Sequence, residues 1–300
     1  MEIWILITIG AATAQTLRFM LQKRLKGMAL STAGATFARF IYSSPLVAVI
    51  AIVYATASGQ GMPDIPATFW PYMLAGGTSQ ILATMCVVAL FSHRNFAVGI
   101  TFKKTEVLLS AFFGFLILGD TFTTLTIIAM LIGLGGVLLL SDPPGGVGPW
   151  HQRIFNRATA LGLGAGVLFG ISGNGYRGAS LSLGDGDVFY RAIITLALVT
   201  AFQTIAMALW LVWRERGEIL RVLASWRVAG LVGITSMIGS ICWFTAFTLQ
   251  NAAYVNAVGQ IELLFSLMIG AFVFGEKVSA REWQGLILLT CSIIMLVLLL

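Results

Sequence analysis

The stretch NFAVGITFKKTEVLLSAFFGFLILGD (residues 95–120) returns 156 positions later as NAAYVNAVGQIELLFSLMIGAFVFGE (residues 251–276), and reading the two together decides the fold. Asn95, Ala97, Glu106, Leu108, Ser110, Gly114, Gly119 and Asp120 align without a gap with Asn251, Ala253, Glu262, Leu264, Ser266, Gly270, Gly275 and Glu276. Upstream, the register continues through Cys86 with Cys242 and Phe91 with Phe247. The chain is internally duplicated. Each copy carries a glutamate through an otherwise apolar segment.

Apolar residues make up 58% of the chain, charged residues only 10%, and the mean hydropathy is +0.92. Soluble domains do not have this composition. A helix needs about 20 mostly apolar residues to cross a hydrocarbon core of roughly 30 Å. Ten segments meet that requirement: 3–21, 33–57, 68–91, 97–118, 122–140, 158–181, 188–213, 227–249, 252–275 and 281–300. A transmembrane barrel would show alternating segments of about ten residues, and these are absent. The pattern predicts an all-α polytopic membrane protein with ten transmembrane helices in two inverted five-helix repeats. The repeats occupy 1–141 and 158–300, with a linker loop at 142–157.

The longest polar stretches, 141–157 and 214–227, are loop-sized and leave no room for a soluble domain. Cys86, Cys242 and Cys291 all lie in apolar segments, where a thiol packs as a small polarizable side chain; no disulfide or metal framework is expected. The apolar run at the N-terminus follows only Met1 and Glu2. Without a basic leader it reads as the first spanning helix rather than a cleaved signal. The pI near 9.5 reflects loop charge, and no nucleic-acid partner is expected.

Ten spans sort the loops into two sets. One holds Lys23, Arg24, Lys26, Arg94, Arg153, Arg157, Arg214, Arg216, Arg221, Arg227, Lys277 and Arg281; the other holds Arg177 with Asp64, Asp120, Asp185 and Asp187. Basic loops are cytoplasmic, so loop charge places both termini outside.

A charge in a membrane helix costs a few kcal/mol and marks a pathway by default. Glu106 is the tenth residue of the fourth segment, about 14 Å in and close to the midplane at 1.5 Å rise per residue; Glu262 holds the equivalent place in the ninth. Lys103 shares the helical face of Glu106, whereas Lys104 points elsewhere. Their second-half counterparts, Gly259 and Gln260, are uncharged. Arg39 and Arg191 form a further pair, each two residues after a phenylalanine. Gln15, Arg18 and Gln22 make a polar stripe on the first helix. The competing reading is that these cations snorkel to headgroups or brace the glutamates.

Gly114, Gly119, Gly270, Gly275, Gly133, Gly135 and Gly136 read as helix-packing positions. Trp243, Phe244, Tyr254 and Phe102 lie near the expected cavity in sequence. His93 and His151 fall in loops and form no metal cluster.

The duplicated segments ending Gly119-Asp120 and Gly275-Glu276, each followed by another apolar helix, resemble the two halves of the drug/metabolite transporter superfamily in its ten-helix EamA-type branch. The resemblance covers nearly the whole chain. It implies an alternating-access carrier of small polar metabolites such as amino acids, an exporter or an importer. Its cavity would be lined by helices 1 to 4 and 6 to 9, and both termini would be cytoplasmic. Lys103, Lys104 and Glu106 depart from the less charged family pattern.

The expected function is therefore secondary active transport of a small solute bearing a carboxylate or other anionic group. Arg39, Lys103 and Arg191 would attract the anion, and Gln15, Trp243 and Tyr254 would complete the substrate site. Glu106 and Glu262 would carry a coupling proton or bind an amino group. The expected setting is the bacterial inner membrane, with the lipid bilayer and the solute as partners and no cofactor. No spanning histidine or serine–base pair supports an intramembrane enzyme, and no Walker-type loop supports ATP-driven transport. A channel or non-transporting receptor is the alternative.

Overall fold

The computed structural model describes residues 2–28, 30–61, 63–90, 103–140, 157–184, 186–263, 265 and 280–299. Among these residues, eleven delimited α-helices run in order: α1 (Ile3–Gly27), α2 (Thr32–Ala57), α3 (Phe69–Leu90), α4 (Glu106–Leu118), α5 (Thr124–Leu140), α6 (Arg157–Ser182), α7 (Val188–Arg214), α8 (Glu218–Ala224), α9 (Trp226–Leu249), α10 (Ala252–Gly259) and α11 (Ala280–Leu298). Among the described residues there is no strand. In lipid every backbone polar group must be satisfied within the chain, and helices do this locally.

Among the described residues five helices, α1, α2, α3, α7 and α9, are long and apolar enough to cross a membrane, and α4, α5 and α11 contain shorter apolar stretches. This is an integral membrane protein. Its outer surface carries exposed Ile, Leu, Phe and Trp side chains such as Ile52, Phe115, Leu209 and Trp213, as a lipid-facing surface requires. Several expectations lie outside the described residues: most of the linker at 142–157, His93, His151, Phe91, Arg94, Asn95, Ala97, Phe102, Arg153, Asp185, Leu264, Ser266, Gly270, Gly275, Glu276 and Lys277.

The two halves interdigitate. The most extensive packing joins α3 to α6, α1 to α9, α5 to α11 and α2 to α7, in each case one helix from each half. The α1–α9 and α6–α3 contacts are the ones a duplication would exchange. Small residues make these approaches possible. A Cβ on Gly175 of α6 would stand 2.8 Å from the Gly76 Cα of α3. Further along α6, a Cβ on Gly170 would meet the backbone of Leu109 and Ser110 at 3.2 Å, and one on Gly166 would meet the Lys103 carbonyl at 3.1 Å. This glycine face of α6 lets the glutamate-bearing segment lie directly against it.

One expectation is corrected. The fourth and ninth segments are not unbroken through their glutamates. Lys104 and Thr105 form a turn, and α4 begins at Glu106; α10 ends at Gly259, Gln260 forms a turn, and helix resumes at 261. Lys104 and Gln260 are equivalent in the duplication, so both copies break at the same register. Glu106 therefore occupies the first turn of α4, where the positive end of the helix dipole favours a carboxylate. At its other end α4 closes on Gly119 in the left-handed conformation at φ 70°, with the Asp120 N–H donating to the Gly114 carbonyl at 3.1 Å, a Schellman-type stop that the glycine permits.

Candidate functional site

At these breaks four buried lysine and glutamate side chains are paired. Lys103 Nζ donates to Glu106 Oε1 at 2.8 Å. Lys104 reaches across the duplication and donates to Glu262 Oε1. The Glu262 second oxygen accepts from Gln15 Nε2 of α1 at 3.0 Å, and Gln15 Oε1 accepts from Arg18 at 3.4 Å. All four charged residues are buried. The first half supplies both lysines, and each half supplies one carboxylate.

Arg39 on α2 stands opposite, buried and held by neutral groups. Its Nε donates to Ser236 Oγ at 2.9 Å, and its terminal nitrogens donate to Thr84 Oγ1 at 3.1 Å and Ser240 Oγ at 3.4 Å. The Gln80 amide sits between Ser172 and Arg39. In the orientation that satisfies both, its nitrogen donates to Ser172 Oγ at 2.7 Å and its oxygen accepts from Arg39 at 2.8 and 3.1 Å. Among the described residues Arg39 forms no ion pair with a carboxylate.

Between these poles lies a cavity of about 50 Å³, room for a few waters. Gln15, Arg39, Lys103, Glu106 and Trp243 line it, all five expected from sequence. Its apolar walls come from Phe169, Tyr176, Phe244 and Phe247; Tyr176 stacks on Phe244 with centroids 4.2 Å apart, and Lys103 lies 4.9 Å from the Phe169 centroid. Trp243 stacks on Phe247, and its indole N–H is buried without a partner.

Of the other three expected residues, Glu262 does not line the cavity but bonds Gln15, which does, and two are placed elsewhere. Arg191 sits in the first turn of α7, and Phe189 beside it packs on Tyr54 near the end of α2; the arginine does not line the cavity. Tyr254 is buried on the α5 side, where its hydroxyl shares a hydrogen bond with Thr126 at 3.1 Å beside Phe122. Conversely, Gln80, Ser172, Ser240 and Asn256 line the cavity without having been picked out. The available signal was spacing: Gln80 with Thr84 and Ser236 with Ser240 are polar i,i+4 pairs in apolar helices. Among the described residues no His, Cys, Asp and Glu cluster suits a metal ion.

Beyond the cavity, Asp120 follows the α4 stop. Burial raises its carboxyl pKa, and the Arg177 guanidinium on α6 draws it back down.

Residues 157–298 match the EamA-like transporter family. That family lies within the drug/metabolite transporter superfamily, the group that the duplicated segments resemble. No curated protein matches the sequence. A solved crystal structure shares the fold at a TM-score of 0.64 and 16% identity, over 97% of this chain and 99% of its own.

Proposed function

With residues 157–298 matching the EamA-like transporter family, we propose that the chain is a secondary active transporter working by alternating access. It spans the bilayer ten times as two inverted five-helix repeats, 1–141 and 158–300, joined by the loop 142–157, in a bacterial inner membrane. Its solute is a small polar metabolite bearing a carboxylate or other anionic group.

The observation that carries this reading is the charge balance around the cavity. Lys103 and Lys104 are each neutralised by a glutamate, whereas among the described residues the Arg39 guanidinium has hydroxyl and amide hydrogen-bond partners and no carboxylate. A buried cation without a counter-ion is costly, and an anion arriving at the cavity compensates it. The rigid fork of Arg39 suits a planar carboxylate in two-point contact. The same anion competes with Glu106 for Lys103. A displaced glutamate is a lone charge in an apolar surround, which a proton or the amino group of the solute neutralises. This exchange ties solute occupancy to proton occupancy at Glu106 and Glu262.

Thermal unfolding of the purified protein against a panel of amino acids, organic acids and nucleotide-like metabolites tests the solute class, followed by flux measurements on any hit. Stabilisation by anionic members that is lost in Arg39→Gln supports the reading. Stabilisation confined to organic cations overturns it.

A further inference from the structure

The link between α7 and α9 carries charge that the solute cavity does not use. It runs Trp213-Arg214-Glu215-Arg216-Gly217, the short helix α8, then Ser225-Trp226-Arg227. Folding sorts its charges by sign. Glu218 is fully buried, and its carboxylate accepts from the Ser31 N–H at 2.6 Å, anchoring α8 on the start of α2. Glu215 is half-buried. The arginines Arg214, Arg216, Arg221 and Arg227 are all exposed, although Arg221 also approaches the inner Glu218 oxygen at 2.5 Å. The outward face is thus basic, with its carboxylates turned in.

The same face exposes large apolar side chains. Trp213 is 73% exposed, Leu220 72% and Trp226 61%, while Val222 on the opposite side of α8 is buried. Arg214 lies over the Trp213 ring at 5.0 Å and Arg227 over the Trp226 ring at 5.7 Å. Tryptophans beside arginines at the end of membrane helices belong at headgroup level, and a short helix with apolar and basic side chains outward lies in that layer.

We infer that α8 and its flanks form a docking surface for the headgroups of anionic phospholipids, with Arg216 and Arg227 receiving the phosphates while Leu220 and Trp226 enter the acyl boundary. Charge complementarity selects the occupant, because exposed arginines near a membrane surface attract acidic lipids. The inference is independent of the solute reading, since none of these residues lines the cavity. Occupancy holds α8 in place and, through Glu218, the first turn of α2.

The test uses the full-length protein purified in neutral detergent, with its thermal unfolding followed on adding phosphatidylcholine, phosphatidylglycerol or soluble glycerol phosphate. The expected result is a larger rise in midpoint with phosphatidylglycerol than with phosphatidylcholine, weakened by high salt and absent with glycerol phosphate. The excess is lost in Arg216→Gln/Arg227→Gln, two exposed positions outside the Glu218 pair, whose lipid-free midpoint matches the parent. Equal responses to the two lipids, an undiminished response in the variant, or reproduction by glycerol phosphate overturns the inference.

Discussion

Lys104, from the first half of the chain, forms a buried ion pair with Glu262, from the second. Its neighbour Lys103 pairs within its own half with Glu106. The turn at Lys104–Thr105 is what lets successive lysines serve opposite halves. A buried charge contact thus joins the two halves of the chain at this point.

Removing one member of the Lys104–Glu262 pair strands a charge in a low-dielectric interior, which typically costs about 3–5 kcal/mol. Lys104→Met and Glu262→Leu are each expected to lower the unfolding midpoint markedly, and the double variant to recover much of the loss. A double variant whose loss is simply the sum of the two singles would show that the residues do not interact.

Arg39→Lys keeps the charge but loses the fork held by Gln80, Thr84, Ser236 and Ser240. Charge-assisted hydrogen bonds contribute about 1.5–3 kcal/mol each, so apparent affinity for an anionic solute is expected to fall by about tenfold or more. The measurement is a solute titration of uptake. Wild-type affinity in Arg39→Lys would remove Arg39 from the site.

Gly175→Ala drives a methyl into the Gly76 backbone at 2.8 Å and the Tyr72 carbonyl at 2.9 Å. Backbone cannot swing aside, so overpacking of about 1–3 kcal/mol outweighs the helix-propensity gain of about 1 kcal/mol. Gly164, on the same helix, has nothing within 4 Å of its Cβ position. Gly164→Ala is expected to be neutral or stabilising. Comparison of the two unfolding midpoints checks both.

Asp187 caps α7, its carboxylate accepting from the Tyr190 N–H at 2.9 Å, Gln60 Nε2 at 2.6 Å and the Tyr54 hydroxyl at 3.1 Å. Burial pushes its pKa up, but these hydrogen bonds outweigh burial and hold the pKa below the usual aspartate range. A depressed folded-state pKa contributes stability that is complete above the unfolded value of about 3.9 and is lost as pH falls through the folded one. The wild type is therefore expected to lose its advantage over Asp187→Asn on acidification below pH about 4. A gap that stays constant through that range would contradict the assignment.

The helical membrane fold was legible because mean hydropathy and segment length are crude quantities that lipid enforces. Gln15, Arg39, Lys103, Glu106 and Trp243 were legible as costly or amphipathic residues in apolar segments. The turns at Lys104–Thr105 and Gln260 were not, because neither contains proline and each falls within a segment that is apolar on average. The Lys104–Glu262 contact was hidden for another reason: it joins halves whose relative placement no local periodicity encodes. Residue type alone does not encode depth, and it did not separate Arg191 and Tyr254 from the residues that line the cavity. Arg191 lies in a first turn, and the Tyr254 hydroxyl is already satisfied by Thr126.

Proton movement accompanying anion uptake into proteoliposomes, followed in wild type, Glu106→Gln and Glu262→Gln, tests the central claim most directly. The account predicts that wild-type uptake of an anion identified by the stability screen carries protons and depends on pH. It predicts that Glu106→Gln, incorporated at equal density, loses the proton movement. Undiminished uptake with the same proton movement and pH dependence in both variants would contradict it.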